Sequence, residues 1–284
     1  LVEGNTEIEE AEGFDTDQIE ALIKEHDLVC PSCGENLSDV EVEDFNLMFE
    51  TSIGPGSGQK GYLRPETAQG IFVEFPRLKD YMRGQLPFGI TQIGKAYRNE
   101  ISPRKGLVRT REFTQAELEH FVDPEEDEPN LDRVKDVELK LYPVSEQKKD
   151  DGEYIFATVE EAVEEEIIEV DWVAYYLGIA KKWYERIGVD MDRFRFRQHQ
   201  EGERAHYASD CWDAESDVGS SEEDWLEIAG FAYRGCYDLT KHKDHSGDEK
   251  DFQIFKEYDE PQKVEKNTVN PDMGFLGPEF GDKA

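Results

Sequence analysis

Residues 88–100 and 110–122 both have strand composition, and only a short polar loop at 101–109, carrying Pro103 and Gly106, separates them. That pattern predicts an antiparallel hairpin. A hairpin dictates facing, because side chains two apart share a face. Arg98 and Glu100 then lie on one side of the outgoing strand, and Arg109, Arg111 and Phe113 on one side of the return strand. Further strands are expected at 45–53, 193–198, 205–214 and 225–233. Between 66 and 85 the residues Ile71, Phe72, Phe75, Leu78 and Met82 keep helical spacing around a weakening Pro76. Trp172, Tyr176, Ile179, Trp183 and Ile187 predict a buried helix face, and Ile19, Leu22 and Ile23 a short helix nearer the start. Beyond Asp238 no clear element is expected except around 252–255. The class is α+β, an antiparallel β-sheet flanked by helices and interrupted by acidic insertions.

A length of 284 residues bounds the chain at about two domains, or one large one with insertions. Acidic residues number 67 against 32 basic ones, for a net charge of −35. That balance lacks the basic signature of most nucleic-acid binders. The acids are spread along the chain, with crowding at 125–128 and 160–169, so they read as a carboxylate-coated surface of a halophilic protein rather than a lure for a cation. At high salt, where the screening length falls to about 3 Å, such a coat no longer repels a polyanion, so nucleic acid stays open as a partner. With 37% hydrophobic and 11% aromatic residues a real core is available. No run of 18 apolar residues exists, so no membrane span is expected. The start, Leu1-Val2-Glu3-Gly4, has neither an initiator Met nor a secretion signal, and reads as a piece of a longer cytoplasmic protein.

Against the acidic background, residues 98–111 hold Arg98, Arg104, Lys105, Arg109 and Arg111 with only Glu100 opposing them. These arginines could simply pair with neighbouring carboxylates. Alternatively, guanidinium groups and an aromatic ring on one sheet face make a nucleotide site, because arginine forks grip phosphate and a ring stacks on a base. Cys30-Pro31-Ser32-Cys33 has half the spacing of a zinc knuckle, but no second such pair exists, and zinc is not expected. Cys211 and Cys236 read as small residues within strands, and His242 and His245 as part of a charged loop. Gly54-Pro55-Gly56-Ser57-Gly58 lacks the Lys-Ser/Thr of a phosphate-binding P-loop and reads as a turn.

The residues then resemble a known family. Arg98-Asn99-Glu100, the loop, and Arg109-Thr110-Arg111-Glu112-Phe113 are similar to the second signature motif of class II aminoacyl-tRNA synthetases. Tyr62-Leu-Arg-Pro-Glu-Thr-Ala-Gln-Gly70, the run from Arg111 to His120, Phe194-Arg-Phe-Arg-Gln-His199, His206-Tyr-Ala-Ser-Asp-Cys-Trp-Asp213 and Trp225-Leu-Glu-Ile-Ala-Gly230 resemble the glycyl-tRNA synthetases of that class, in a haloarchaeal form. The resemblance covers about residues 45–240. It implies an acidic N-terminal insertion with the Cys-x-x-Cys turn at 1–44, a partial catalytic core at 45–240 with an insertion near 123–170, and a truncated insertion segment at 241–284. Arg234 is the last arginine, so the family's third motif is expected to lie outside the chain, as is the first, which builds the dimer interface.

The resemblance also implies roles. Arg98 would bridge the α-phosphate of ATP and the glycine carboxylate, Arg109 or Arg111 would hold the γ-phosphate, and Phe113 would stack on adenine. Glu100 would sit near the adenine amino group or the tRNA 3′ end, and Glu227 would help hold Mg2+ and ATP. Arg98, Glu100 and Arg111 are the implied catalytic residues; Asn99, Val108, Thr110, Glu112 and Ile228 complete the expected ATP contacts. Glu66, Phe113, Glu117 and Arg234 are expected around glycine, although Glu66 alone would equally suit a carboxylate capping a helix. The implied activity is glycine–tRNA ligation from glycine, ATP and tRNA(Gly), in a homodimeric parent. The alternatives are a non-catalytic synthetase-like accessory or binding subunit, which would be expected to lose these arginines, and a ligase for another small amino acid.

Overall fold

The computed structural model describes residues 16–30, 33–42, 45–56, 58–100, 109–125, 127–149, 151–200, 203, 209–219, 225–247 and 251–255. Val108, Arg104, Lys105 and His206 lie outside the described residues, as does the first part of the strand expected at 205–214. One unit, Leu1–Phe252, carries every named element; a second, Gln253–Ala284, is described only at its first three residues. In chain order come α1 (Thr16–Glu25), the small hairpin β1 (Glu50–Ile53) and β2 (Gln59–Tyr62), and two short helices, α2 (Ala68–Val73) and α3 (Phe75–Tyr81). The long hairpin β3 (Phe88–Tyr97) and β4 (Glu112–Phe121) follows. Then come β5 (Glu138–Tyr142), α4 (Val144–Gln147), β6 (Ile155–Thr158), α5 (Val159–Glu164) and α6 (Asp171–Ile187). β7 (Phe194–Gln198), β8 (Asp210–Asp217), β9 (Trp225–Tyr233) and α7 (Tyr237–Ser246) close the series.

The long hairpin is antiparallel from Phe88 opposite Phe121 to Tyr97 opposite Glu112. Pro76 falls in the first turn of α3, where a missing N–H costs little, so the expected helix divides at Glu74 instead of merely bending. The main sheet runs β6-β5-β7-β8-β9, antiparallel except where β5 and β7 lie parallel. Segment 123–170, expected as an acidic insertion, supplies β5 and β6 and buries Leu139, Leu141, Val159 and Ala162 in the main core, leaving its glutamates outside.

The sheet has two unlike faces. Leu139, Leu141, Phe194, Phe196, Trp212 and Ala214 pack with α6 into the core. The opposite face carries Lys140, Tyr142, Arg195, Arg197, Asp213 and Glu215, as alternation requires. Arg195 donates to Glu215 at 2.7 Å and lies over the Trp225 ring at 4.1 Å, so its buried charge is both paired and stacked.

Three expectations need correction. Helix α6 exists, but its core-facing side is Val173, Ala174, Leu177, Ala180 and Tyr184; Trp183 and Ile187 are more than half exposed. The large residues misled because the helix is apolar on two sides: Trp172 and Tyr176 meet His120 of β4 instead. The polar stretch after Asp238 is helical as α7, ending at Gly247 with a positive φ of 75°. Cys236 therefore caps a helix and is exposed, Cys211 alone lies in a strand, and His242 and His245 are helical. Cys30 and Cys33 occupy a turn closed by Gly34 N–H donating to the Cys30 carbonyl at 2.8 Å.

Candidate functional site

The run Arg64-Pro65-Glu66-Thr67-Ala68-Gln69 is laid across the hairpin by hydrogen bonds. Arg64 Nε donates to the Lys95 carbonyl at 2.7 Å, and Tyr97 N–H returns a bond to the Arg64 carbonyl at 2.9 Å. The crossing is so close that a side chain at Gly94 would bring Cβ within 2.5 Å of Arg64 Nη2. Glu117, on the inner face of β4, then reaches the start of α2. One of its oxygens accepts from the backbone N–H and hydroxyl of buried Thr67 and from Ala68 N–H at 2.8 Å. Glu117, and not Glu66, therefore supplies the helix-capping carboxylate. Its second oxygen has no part in the cap.

Beside this cap the chain gathers charge. Gln69 Nε2 donates to Glu66 at 3.1 Å and to Asp238 at 3.2 Å, and Arg234 grips Asp238 with two bonds at 2.7 and 2.9 Å. Arg234 also lies over the Phe72 ring at 5.3 Å. Glu119, two residues beyond Glu117 on the same face, completes the group. Burial raises its carboxyl to about 7, held back by Arg234 and pushed further by Glu117, Asp238 and Glu66. Arg234 pairs with Asp238, and the carboxyl groups of Glu66, Glu117 and Glu119 lie close enough to repel one another. Such a niche favours a cation.

The other half of the site is at the open end of the hairpin. Arg98 N–H donates to the Arg111 carbonyl at 3.1 Å, which continues the ladder past β3 and β4 and puts both arginines on the face that carries Phe113. The Arg98 guanidinium lies 5.4 Å from the Phe113 ring centre, its Nε donates to the Pro65 carbonyl at 3.3 Å, and Arg111 Nε donates to the Glu100 carbonyl at 3.0 Å. The main sheet contributes Glu227 from β9. Ala214 pairs with Ala229 and Glu215 with Glu227, so Ile228 is an extra residue in the ladder. This bulge turns Glu227 from the apolar face, where alternation from Ala229 would put it, to the polar face beside Asp213 and Glu215. Desolvation and then Asp213 push its carboxyl up, while His199 and Arg98 pull it down. His199, bonded to Asp213 at 2.7 Å with the Cys211 sulfur beside it, is raised to about 10 chiefly by that bond.

Of the residues expected at the site, Arg98, Arg111 and Phe113 share one face of the hairpin, Glu117 and Glu66 meet the start of α2, Arg234 joins them through Asp238, and Glu227 is close enough to Arg98 to feel its charge. Asn99 and Glu100 lie just past the end of β3; Asn99 N–H donates to the Leu47 carbonyl at 2.7 Å. Arg109 is exposed, and Thr110 spends its hydroxyl on the Glu112 carbonyl at 2.7 Å. Glu112 sits one residue out of phase with Phe113, on the outer face, paired with Lys95 at 3.1 Å. Ile228 forms the bulge. Glu119 and Asp238 are the residues that sequence reasoning missed. Glu119 was legible, since it lies two places from Glu117 on one face of a predicted strand; Asp238 was not, because it needs α7.

A hairpin carrying two arginines and a ring, with an anionic niche beside it, is the arrangement of one class of enzyme core. Residues 55–144 match the family described as tRNA synthetase class II core domain (G, H, P, S and T). Over those residues the chain is similar to the class II aminoacyl-tRNA synthetase core. The curated proteins it resembles are glycine–tRNA ligases. That of Thermococcus gammatolerans is 51% identical over 95% of this chain and 46% of its own length, and that of Thermococcus kodakarensis 51% over 96% and 48%. That of Methanothermobacter thermautotrophicus is 47% identical over 95% of this chain and 47% of its own. The chain thus spans about half the length of the curated relatives it matches.

Proposed function

We infer that the chain is catalytic-core sequence of a glycine–tRNA ligase: it activates glycine with ATP to glycyl-adenylate and passes the glycyl group to the 3′ end of tRNA(Gly). The observation that carries this reading is the pairing of an arginine cradle, Arg98 and Arg111 beside Phe113, with a neighbouring group of three carboxyl groups, Glu66, Glu117 and Glu119, suited to an ammonium group. The glycine carboxylate oxygen attacks the α-phosphorus, a new C–O–P linkage forms, and the bond to pyrophosphate breaks. The nucleophile is already ionised, so no side-chain base is needed. The chain's work is to hold two anions together and to neutralise charge growing on the phosphate oxygens.

Arg98 bridges the α-phosphate and the amino-acid carboxylate, Arg111 or Arg109 meets the terminal phosphate, Phe113 stacks on adenine, and Glu100 lies toward the base or the tRNA end. Among the described residues no group of three or more His, Cys, Asp and Glu side chains is placed to hold a metal ion. A single accessible carboxylate at Glu227 nevertheless suits Mg2+ carried on the ATP phosphates, which supplies charge neutralisation when bound. Retention of Arg98, Glu100, Arg111 and Phe113 favours the ligase over an accessory subunit. A dimeric parent belongs to the same proposal, as does a cytoplasmic place; no described helix is long and apolar enough to cross a membrane. The test is ATP–pyrophosphate exchange by the natural gene product. Exchange driven by glycine, and not by alanine or serine, supports the reading; exchange driven equally by alanine, or none, rejects it.

A further inference from the structure

Gln69 stands where the carboxylate niche meets α7. Its amide nitrogen donates to Glu66 at 3.1 Å and to Asp238 at 3.2 Å. Its carbonyl oxygen lies 3.2 Å from Nε2 of His242, one turn beyond Asp238 on α7. The orientation of the amide is forced by its neighbours: two carboxylates only accept, so the nitrogen must face them and the oxygen must face the imidazole. His242 in turn is held by rings, with Phe72 of α2 at 6.4 Å and Phe252 at 5.8 Å between centroids. Asp238 is already fixed by Arg234, whose guanidinium rests on the same Phe72. One amide thus links Glu66 to an aspartate held by two bonds from Arg234.

We propose that Gln69 is a positioning residue of the amine niche, and that His242 fixes it through its Nε2 hydrogen bond. This rests on the reading of the niche as the glycine site. Two carboxylates facing one another repel and spread apart unless something neutral and bidentate stands between them. Gln69 does that while leaving Glu66's other oxygen free for the incoming ammonium. The spacing it sets decides how much room remains at the α-carbon, and so how strongly an added methyl is refused. Neither residue touches the reacting phosphorus or carboxylate.

The test is exchange kinetics on the natural gene product with Gln69→Met, which keeps length and loses all three bonds, and His242→Phe, which keeps the ring stacking on Phe72 and Phe252 and loses only the donor. The expected result is a rise in glycine KM of about tenfold for Gln69→Met, the size of one hydrogen bond to a charged group, and a smaller rise for His242→Phe. The kcat and the KM for ATP stay within about twofold, and the preference for glycine over alanine narrows. A purely structural role predicts instead that His242→Phe is silent, or that all parameters fall together, and either result overturns the proposal. Unchanged glycine KM in Gln69→Met overturns it while leaving the ligase reading intact. Absence of glycine-driven exchange in the wild type overturns both.

Discussion

A carboxyl group hemmed in by three others and one guanidinium titrates unlike one on the surface, and Glu119 is that group. Burial is the main cause that lifts it to about 7, with Glu117, Asp238 and Glu66 adding to the push. Its proton is therefore still partly present at neutral pH. An ammonium entering the niche favours the ionised form, so below about pH 7 binding must expel a proton. Apparent glycine affinity should rise with pH up to about 7, by as much as tenfold per unit well below it, and level off above. Glu119→Gln should flatten that dependence, as read by glycine KM from pH 5.5 to 8. The same group affects stability in the opposite sense. A carboxyl raised in the folded state contributes its stability below the ordinary carboxylate range and loses it as pH climbs through about 7. Single residues were legible where spacing on one strand decided them, as for Arg98, Arg111 and Phe113; Glu117 came only from the family resemblance. They were not where a second element intervened: Glu227 owes its facing to the Ile228 bulge, and Glu117's cap on α2 needs a contact 50 residues away in the chain.

At the scale of elements, the hairpin and the strand at 225–233 follow from local composition, because each is decided by residues within a few positions, whereas the division of the helix at Glu74 goes beyond the weakening that Pro76 predicted. Helix α6 shows where that logic stops. Its bulky residues trace one stripe and its buried residues another, because Val173, Ala174, Leu177 and Ala180 let the helix lie close to the sheet while the indoles take the margins. Truncation should distinguish the stripes. Leu177→Ala, at a position with no exposure, should cost about 2–5 kcal/mol in chemical denaturation. Trp183→Ala, 54% exposed, should cost less than about 1 kcal/mol despite the larger side chain. Helix α7 escaped sequence reading for a different reason: it is polar on nearly every side, and only its end signals, Asp238 in the first turn, Lys243 and His245 in the last and Gly247 after it, mark it as a helix. Its importance is positional, since it brings Asp238 and His242 to the niche.

At the scale of the whole molecule, the charge of −35 sits on a fold in which several buried ionic groups are paired: Arg195 and Arg197 with Glu215, His199 with Asp213, Arg234 with Asp238. The excess acid is on the outside and repels itself. Raising salt shortens the screening length from about 10 Å at 0.1 M to about 3 Å at 1 M. Thermal unfolding should therefore shift upward by several degrees or more between those concentrations, and substitution of the 160–169 glutamates by glutamine should shrink the shift. An unchanged Tm would mean that the acid coat contributes nothing to folding stability.

The proposed function has a cationic hairpin meet a nucleotide next to the carboxyl groups of Glu66, Glu117 and Glu119, with Arg98 as the residue it assigns to both. The most direct measurement is the glycine-dependent ATP–pyrophosphate exchange of Arg98→Ala beside the unaltered natural gene product. Loss of a charge-assisted contact to the reacting phosphate should lower kcat/KM by at least about a hundredfold with the fold intact by circular dichroism. Exchange at near the unaltered rate would contradict the account at its centre.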